Sequence, residues 1–249
     1  MRDRVRKPLN ALADLVWPRT CAVEACRRPV DRPQRHICSA CFATLLFHEP
    51  GGACRLCGAP VPAQTPHAFV CEACASRPPP YERTCSALDY KGDLEEMVKS
   101  FKYNRASWLT EDFADLLEGV VRAQLDGAAV DAVVPVPLHP NRQRRRGYNQ
   151  AALLARALAR RLVRRVDEKS LTRVRDTPKQ SLLSGVERRQ NLKDAFVAAR
   201  PSFIRGRTIL LIDDVTTTGS TLAAAAEPLR AAGAARIWCA TLARAPHDS

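Results

Sequence analysis

Four pairs of cysteines crowd the first third of the chain: Cys21 and Cys26 spaced C-x4-C, then Cys38 and Cys41, Cys54 and Cys57, and Cys71 and Cys74, each spaced C-x2-C. A C-x2-C turn sets two sulfurs on one side of a tight knuckle, and two knuckles make the tetrahedral thiolate cage that zinc prefers. Eight thiolates then fill two closed sites with no open position for water, so the two Zn2+ ions are expected to be structural. Few large apolar residues separate the pairs. Burial alone cannot hold such a segment, and metal coordination has to supply the missing free energy. Sequential pairing gives a double zinc ribbon and interleaved pairing a cross-braced module; spacing leaves both open. A disulfide framework needs an oxidising compartment, and an iron–sulfur centre usually shows three closely spaced cysteines, a run missing here. His36 and His67 read as surface residues, and Cys85 and Cys239, outside the cluster, as buried strand cysteines.

The compartment bears on that choice. No run of eighteen apolar residues exists, and the N-terminal stretch reads as an amphipathic helix packing Leu9, Leu12 and Val16 inward, without a cleavage site after it. The expectation is a cytoplasmic protein with reduced thiols and no membrane insertion. The formal charge of +13 and a pI near 9.7 tie the chain to polyanions: nucleic acid, acidic head groups or phosphorylated metabolites. Three prolines in "ASRPPPYERT" break regular structure. They divide the chain into a helix-plus-zinc module over 1–80 and a larger domain over 81–249, starting near Tyr81.

In the larger domain, "DLEEMVKSFKY", "SWLTEDFADLLEGVVRAQL", "NQAALLARALARRLV" and "STLAAAAEPLRAAG" carry helical periodicity. Between them, "DAVVPVPL", "GRTILLIDD" and "ARIWCATLAR" are continuous apolar strands. That alternation is the mark of an α/β fold, a parallel sheet with helices on both faces, whose ligands sit at the carboxyl ends of the strands.

Two strand ends draw the eye. In "IDDVTTTGST", a turn between strand and helix aims backbone N–H groups and a helix N-terminus at one point. Thr216, Thr217, Thr218, Ser220 and Thr221 add hydroxyls, and Gly219 permits close approach. With Val215 these form a phosphate site. Asp213 and Asp214 precede it at the distance of a sugar, placed to accept hydrogen bonds from ribose hydroxyls and to help hold a divalent cation. The partner expected for this repelling pair is the ribose rather than a protein cation. The other strand end, "VVPVPLHPNRQRRRGYNQ", opens a stretch from Asn141 to Arg165 with nine arginines and no acid. Arg160, Arg161, Arg164 and Arg165 read as a solvated face. Arg142 and Arg146 sit in a loop held by prolines and by Gly147, which is taken to begin the next helix, and their guanidinium groups suit a pyrophosphate.

The first stretch resembles, at every position, the 5-phosphoribosyl-1-diphosphate (PRPP) motif of type I phosphoribosyltransferases. Together with the paired cysteines, "VKSFKYN", "VPVPLHPNRQRRRGYNQ" and "TPKQSLLSGVERRQNLKDAF", it makes essentially the whole chain similar to the ComF family, the competence-protein F and GntX-like proteins that fuse a double zinc ribbon to such a domain. The departure is the C-x4-C of the first pair, where the family more often shows C-x2-C. The resemblance implies PRPP binding by Asp213, Asp214 and residues 215–221, with a pyrophosphate loop of His139, Arg142, Arg146, Gly147, Tyr148, Asn149 and Gln150. It further implies a lysine, Lys102, within reach of the diphosphate, and a flexible loop carrying Thr177, Gln180, Arg189 and Asn191. Asp213, Asp214, Arg146 and Lys102 would be the catalytic set.

The implied chemistry is pentosyl transfer: a nucleophile displaces pyrophosphate from C1 of PRPP, with Mg2+ and arginines neutralising the leaving group, so positioning and electrostatics do most of the work. No general base stands out, and after the last strand only "LARAPHDS" follows, which leaves no C-terminal hood to choose an acceptor. Two classes of function follow. One is a phosphoribosyltransferase with an unspecified acceptor. The other is a non-catalytic, PRPP-responsive protein that binds single-stranded DNA beside DNA-uptake proteins; the basic charge favours it, and the scarcity of aromatics among the arginines weakens it. A plainer third reading makes the zinc ribbons a protein-docking platform.

Overall fold

The computed structural model describes residues 19–33, 35–45, 53–60, 69–125, 129–177 and 191–246. The expected N-terminal helix through Leu9, Leu12 and Val16 lies outside them, as do His67, Gln180 and Arg189. In chain order the elements are helix α1 (Ser39–Ala43), α2 (Glu72–Ser76), strand β1 (Arg83–Asp89), α3 (Asp93–Tyr103), a 3-10 turn (Ser107–Leu109), α4 (Thr110–Gln124), β2 (Ala132–Pro135), α5 (Pro140–Arg146), α6 (Gln150–Leu162) and β3 (Arg165–Val166). A hairpin of β4 (Leu171–Arg173) and β5 (Phe196–Ala198) follows, then α7 (Pro201–Ile204), β6 (Thr208–Thr216), α8 (Ser220–Ala231) and β7 (Arg236–Arg244).

Strands β1, β7, β6, β2 and β3 lie in that order in one sheet, and every pair in it is parallel. Side chains alternate along a strand, so an unbroken apolar run demands cover on both faces. Leu210 and Ile212 of β6 pack with Phe101 of α3, Leu117 of α4 and Leu158 of α6. Ile209 and Leu211 pack on the opposite face with Leu222 and Leu229 of α8 and Phe196 of the hairpin. Among the described residues no helix is long and apolar enough to cross a membrane.

The expected elements are present, with three differences. The arginine-rich loop is instead the short helix α5, capped by His139, whose side chain accepts from Asn141 N. Gly147 does not open the next helix: at φ 86° it ends α5 in the left-handed conformation that glycine tolerates, and the Asn149 side chain caps α6. Strand β6 runs past the two aspartates to Thr216, because Thr216 pairs with Arg244 in register and Ala245 N donates to Thr216 O at 2.8 Å.

The cysteine segment forms two hairpin knuckles, marked by the bridges Thr20 to Pro29 and Ala53 to Pro60. Each docks on a different part of the α/β body. The first presses Val23 and Ile37 into the core beside α4. Asp112 of α4, 0% exposed, accepts from His36 N at 3.0 Å, Ile37 N at 3.3 Å and Arg32 Nη1 at 3.2 Å. Asp115 takes Arg32 Nη2 at 2.7 Å and Arg35 Nε at 2.6 Å. His36 stacks obliquely on Trp108 at 4.7 Å, so it is a docking residue. The second knuckle lies against the sheet, where Arg244 Nη1 of β7 donates to Cys57 O at 2.6 Å.

Candidate functional site

The eight cysteines gather as Cys21, Cys26, Cys38, Cys41 and as Cys54, Cys57, Cys71, Cys74, the ligand atoms of each set within 4.8 Å of one another. The pairing is sequential. Sγ of Cys26 and Cys38 lie 3.9 Å apart and those of Cys57 and Cys71 3.8 Å. A tetrahedral zinc with bonds of about 2.3 Å puts sulfurs about 3.8 Å apart, whereas a disulfide needs about 2.05 Å. The donor set fits zinc, and the longer C-x4-C pair closes its cage as tightly as the others. Backbone N–H groups of Cys38 and Cys41 point at Cys21 Sγ and Cys38 Sγ (3.4 and 3.5 Å), and that of Cys71 at Cys54 Sγ (3.3 Å), bonds that favour thiolates. Cys85 and Cys239 stay apart from both cages, buried in neighbouring strands.

At the carboxyl end of β6, Val215 and residues 216–221 line a cavity of about 360 Å³ together with Tyr90, Lys99, Lys102, Tyr103 and Ala245. Gly219, at φ 76°, turns the chain into α8, and a Cβ there would come within 3.0 Å of the Tyr81 hydroxyl. Thr218 Oγ1 lies 2.7 Å from Ser220 Oγ and accepts from Ser220 N at 3.3 Å, holding the hydroxyls together at the helix start. Donors and helix dipole converge there, an arrangement suited to a dianionic phosphate.

The two aspartates do have a protein cation. Lys102 Nζ sits 3.0 Å from Asp214 Oδ1, both side chains largely buried, contrary to the expectation that the ribose rather than a protein cation would answer them. The Asp214 and Asp213 carboxyls also accept from Val215 N (2.7 Å) and Asp214 N (2.9 Å). Burial pulls the Lys102 ammonium down, but the charges of Asp214 and Asp213 outweigh it and hold it above its usual value. Asp213 is pushed up to about 7 by burial first and by Asp214 second, against the Asp214 N–H, Lys102 and Arg173.

A raised carboxyl favours the folded state when protonated. The stability from Asp213 is thus fully present below about pH 4 and lost as pH rises through about 7. Asp213→Asn keeps the acceptor for Asp214 N and removes the charge. Discounted for partial exposure, the gain in the ligand-free protein at pH 8 is about 2 kcal/mol, or some 4–8 °C in Tm. It is expected to vanish near pH 4; melting curves of both proteins across that range check it, and a gain independent of pH would count against it.

The block "RGYNQ" holds α3 in place. Tyr148 Oη donates to Phe101 O at 2.6 Å, and Gln150 Nε2 to Lys102 O at 3.2 Å. Asn149 Nδ2 donates to Val136 O at 2.9 Å while its Oδ1 caps Ala151 N at 3.1 Å. Arg146 Nη1 donates to Gln150 Oε1 at 2.9 Å and its guanidinium lies 5.0 Å over the exposed Tyr103 ring. Two separate sequence blocks, "KY" and "RGYNQ", thus form one physical unit that aims Lys102 at Asp214.

Three residues that no local pattern marked complete the site. Asp176 gathers α5: Arg142 Nε at 3.3 Å and Asn141 Nδ2 at 3.2 Å, with the capping His139 ring beside them. Arg142 also donates to Thr177 O. Buried Arg173 donates to Thr177 Oγ1 at 2.6 Å. Burial and then Arg142 lower its guanidinium to about 10, opposed by Asp213 and Asp176, which places its field on the carboxylates. Arg244 is the third. Asn191 begins the segment leading to β5, with its side chain half-buried.

Residues 148–249 match the model of the phosphoribosyl transferase domain, and residues 12–75 that of the double zinc ribbon domain. The chain is 36% identical over 219 residues to DNA utilization protein YhgH of Escherichia coli K12, covering 86% of this chain and 93% of that protein. It is 34% identical over 224 residues to competence protein F of Haemophilus influenzae, covering 88% and 95%. With competence protein ComFC of Bacillus subtilis it shares 31% over 220 residues, covering 86% of each. A chain with two four-cysteine cages, a parallel sheet and a phosphoribosyltransferase loop, related to these proteins over most of its length, belongs to the ComF family.

Proposed function

We propose that this protein binds PRPP with Mg2+ and transfers its phosphoribosyl group to a nucleophile, releasing pyrophosphate. The observation that carries the reading is the pair Asp213 and Asp214 standing directly before the hydroxyl-lined turn at the start of α8 and beside the cavity it borders. The 5′-phosphate would take residues 216–221, and the ribose hydroxyls the two carboxylates. Those carboxylates are also the hard oxygen donors that would hold Mg2+, which when bound adds positive charge at the leaving diphosphate. Lys102 neutralises Asp214 in the ligand-free state and lies near enough to turn toward the diphosphate, with Arg142 and Arg146 at the adjacent strand end. The module of residues 1–80 would serve as a metal-held scaffold on the domain of 81–249, in the cytoplasm.

The test is a pyrophosphate-release screen with Mg·PRPP and a panel of bases, amines and nucleic-acid acceptors. Release that needs one acceptor and disappears in Asp213→Ala supports transfer. PRPP binding with no release across the panel favours a second reading, a PRPP-responsive protein that binds single-stranded DNA with DNA-uptake partners. One cleft bears on that reading: Arg165, Lys169 and Arg200 line a cavity of about 400 Å³ around Phe203, together with Glu168 and with Asp167, which pairs with Arg200 at 2.9 Å. Against a broad arginine surface, Arg156 is paired with Glu168, and Arg160 and Arg161 with Glu111. Affinity for single-stranded DNA should fall steeply between 50 and 200 mM salt if the cleft binds phosphates; a flat response would count against it.

A further inference from the structure

We infer that Arg244 couples the second zinc site to the phosphate loop, so that zinc held by Cys54, Cys57, Cys71 and Cys74 sets how well the loop holds a phosphate. The inference rests on the phosphate reading above. Arg244 ends β7 and is buried, 4% exposed. Its Nη1 donates to Cys57 O at 2.6 Å, inside the second knuckle. Its Nε, also buried, meets no hydrogen-bond partner among the described residues, so charge as well as hydrogen bonding must hold the group. A buried guanidinium is costly unless a negative charge lies close. Zinc with four thiolates carries about two negative charges, and that cage stands against it.

The fit leaves little play. Gly58, the residue after Cys57, has φ +71°, and a Cβ there would meet Thr84 O at 3.3 Å and Arg244 Nη1 at 3.8 Å. The knuckle therefore lies directly on the sheet. From Arg244 the backbone leads straight to the phosphate site: Arg244 is in register with Thr216, its carbonyl accepts from Tyr90 N at 2.7 Å, and Ala245 N donates to Thr216 O at 2.8 Å. Tyr90, Thr216 and Ala245 all line the cavity. A second path runs through Tyr81, 5% exposed, whose hydroxyl lies 3.0 Å from where a Cβ on Gly219 would stand. Arg244 is thus a positioning residue: loss of the metal removes the fixed charge and shape that it packs against, and the end of β7 carries the disturbance to Thr216. The first zinc site docks instead on α4, through Asp112 and Asp115.

Coupling of this kind is reciprocal. The full-length protein carrying two zinc ions is exposed to a chelator that binds zinc but not magnesium, and release is followed with and without Mg·PRPP, whose affinity is measured by calorimetry. In the wild type, saturating PRPP is expected to slow one of the two zinc equivalents about fivefold or more and leave the other unchanged. In Arg244→Met that same equivalent should leave about tenfold faster, PRPP should no longer protect it, and PRPP affinity should fall about tenfold; Arg244→Lys should recover part of each. The wild-type arm needs no variant, so it decides the matter even if Arg244→Met does not fold. PRPP binding without protection of either zinc overturns the coupling, as does an Arg244→Met protein with unchanged zinc release. Absence of PRPP binding to the zinc-loaded wild type removes the phosphate reading and the coupling together, and calorimetry tells that case apart.

Discussion

Stripping both zinc ions is expected to lower Tm by about 10 °C or more and to unfold the cysteine segment, with a metal content of two zinc ions per chain beforehand. Apparent binding energies of about 10–16 kcal/mol are typical of structural zinc in peptides near neutral pH, and most of that energy here goes into ordering the knuckles. The remainder reaches the α/β body through the docking groups. Asp112 is fully buried and satisfied by His36 N, Ile37 N and Arg32, all of which belong to the first knuckle. When that knuckle unfolds, a buried carboxylate loses its partners, a change that costs about 3–5 kcal/mol, or about 10 °C for a domain of this size. Cys38→Ser should reproduce the loss at the first knuckle, because serine keeps the N-cap of α1 but removes a thiolate from the first cage. Metal analysis and melting before and after chelation check this; one zinc per chain, or an unchanged melt, would refute it.

The second large effect concerns the aspartates. Titration with Mg·PRPP is expected to show binding to the wild type and a loss of about a hundredfold in each of Asp213→Ala and Asp214→Ala. On the proposed binding mode each substitution would remove hydrogen bonds between a carboxylate and ribose hydroxyls worth about 1.5–3 kcal/mol apiece, and 1.4 kcal/mol is a factor of ten. Folding separates the two variants. Asp214→Ala leaves Lys102 largely buried without its 3.0 Å partner and should melt lower than wild type. Asp213→Ala removes the carboxyl that burial and Asp214 oppose and should melt higher at neutral pH. Opposite shifts in stability with the same loss of affinity cannot come from general unfolding. Equal affinity for wild type and both variants would end the PRPP reading.

Much of the molecule was legible in the chain. The cysteine spacing led to two four-thiolate sites because a C-x2-C turn is local geometry, and the apolar runs led to a covered parallel sheet because both faces of each strand must be buried. The motif from Asp213 to Thr221 was legible for the same reason: one strand, one turn and one helix start hold all of it. The arginine-rich segment reads as a loop because prolines and Gly147 flank it, whereas the carboxylate that gathers Asn141 and Arg142 beside His139 into a short helix is Asp176, more than thirty residues away.

The sequence by itself determined the kinds of chemistry available, namely two thiolate cages, a hydroxyl-lined turn and a pair of acids before it, since each is written within a few consecutive residues. Only the tertiary structure decided their partners. It chose sequential over interleaved cages and set Lys102 against Asp214 by tying α3 to Tyr148 and Gln150. It also laid the second cage on Arg244, in register with Thr216 of the hydroxyl-lined turn. Those choices depend on which distant segments meet when the sheet closes, and a buried charge takes whatever opposite charge the fold brings within reach.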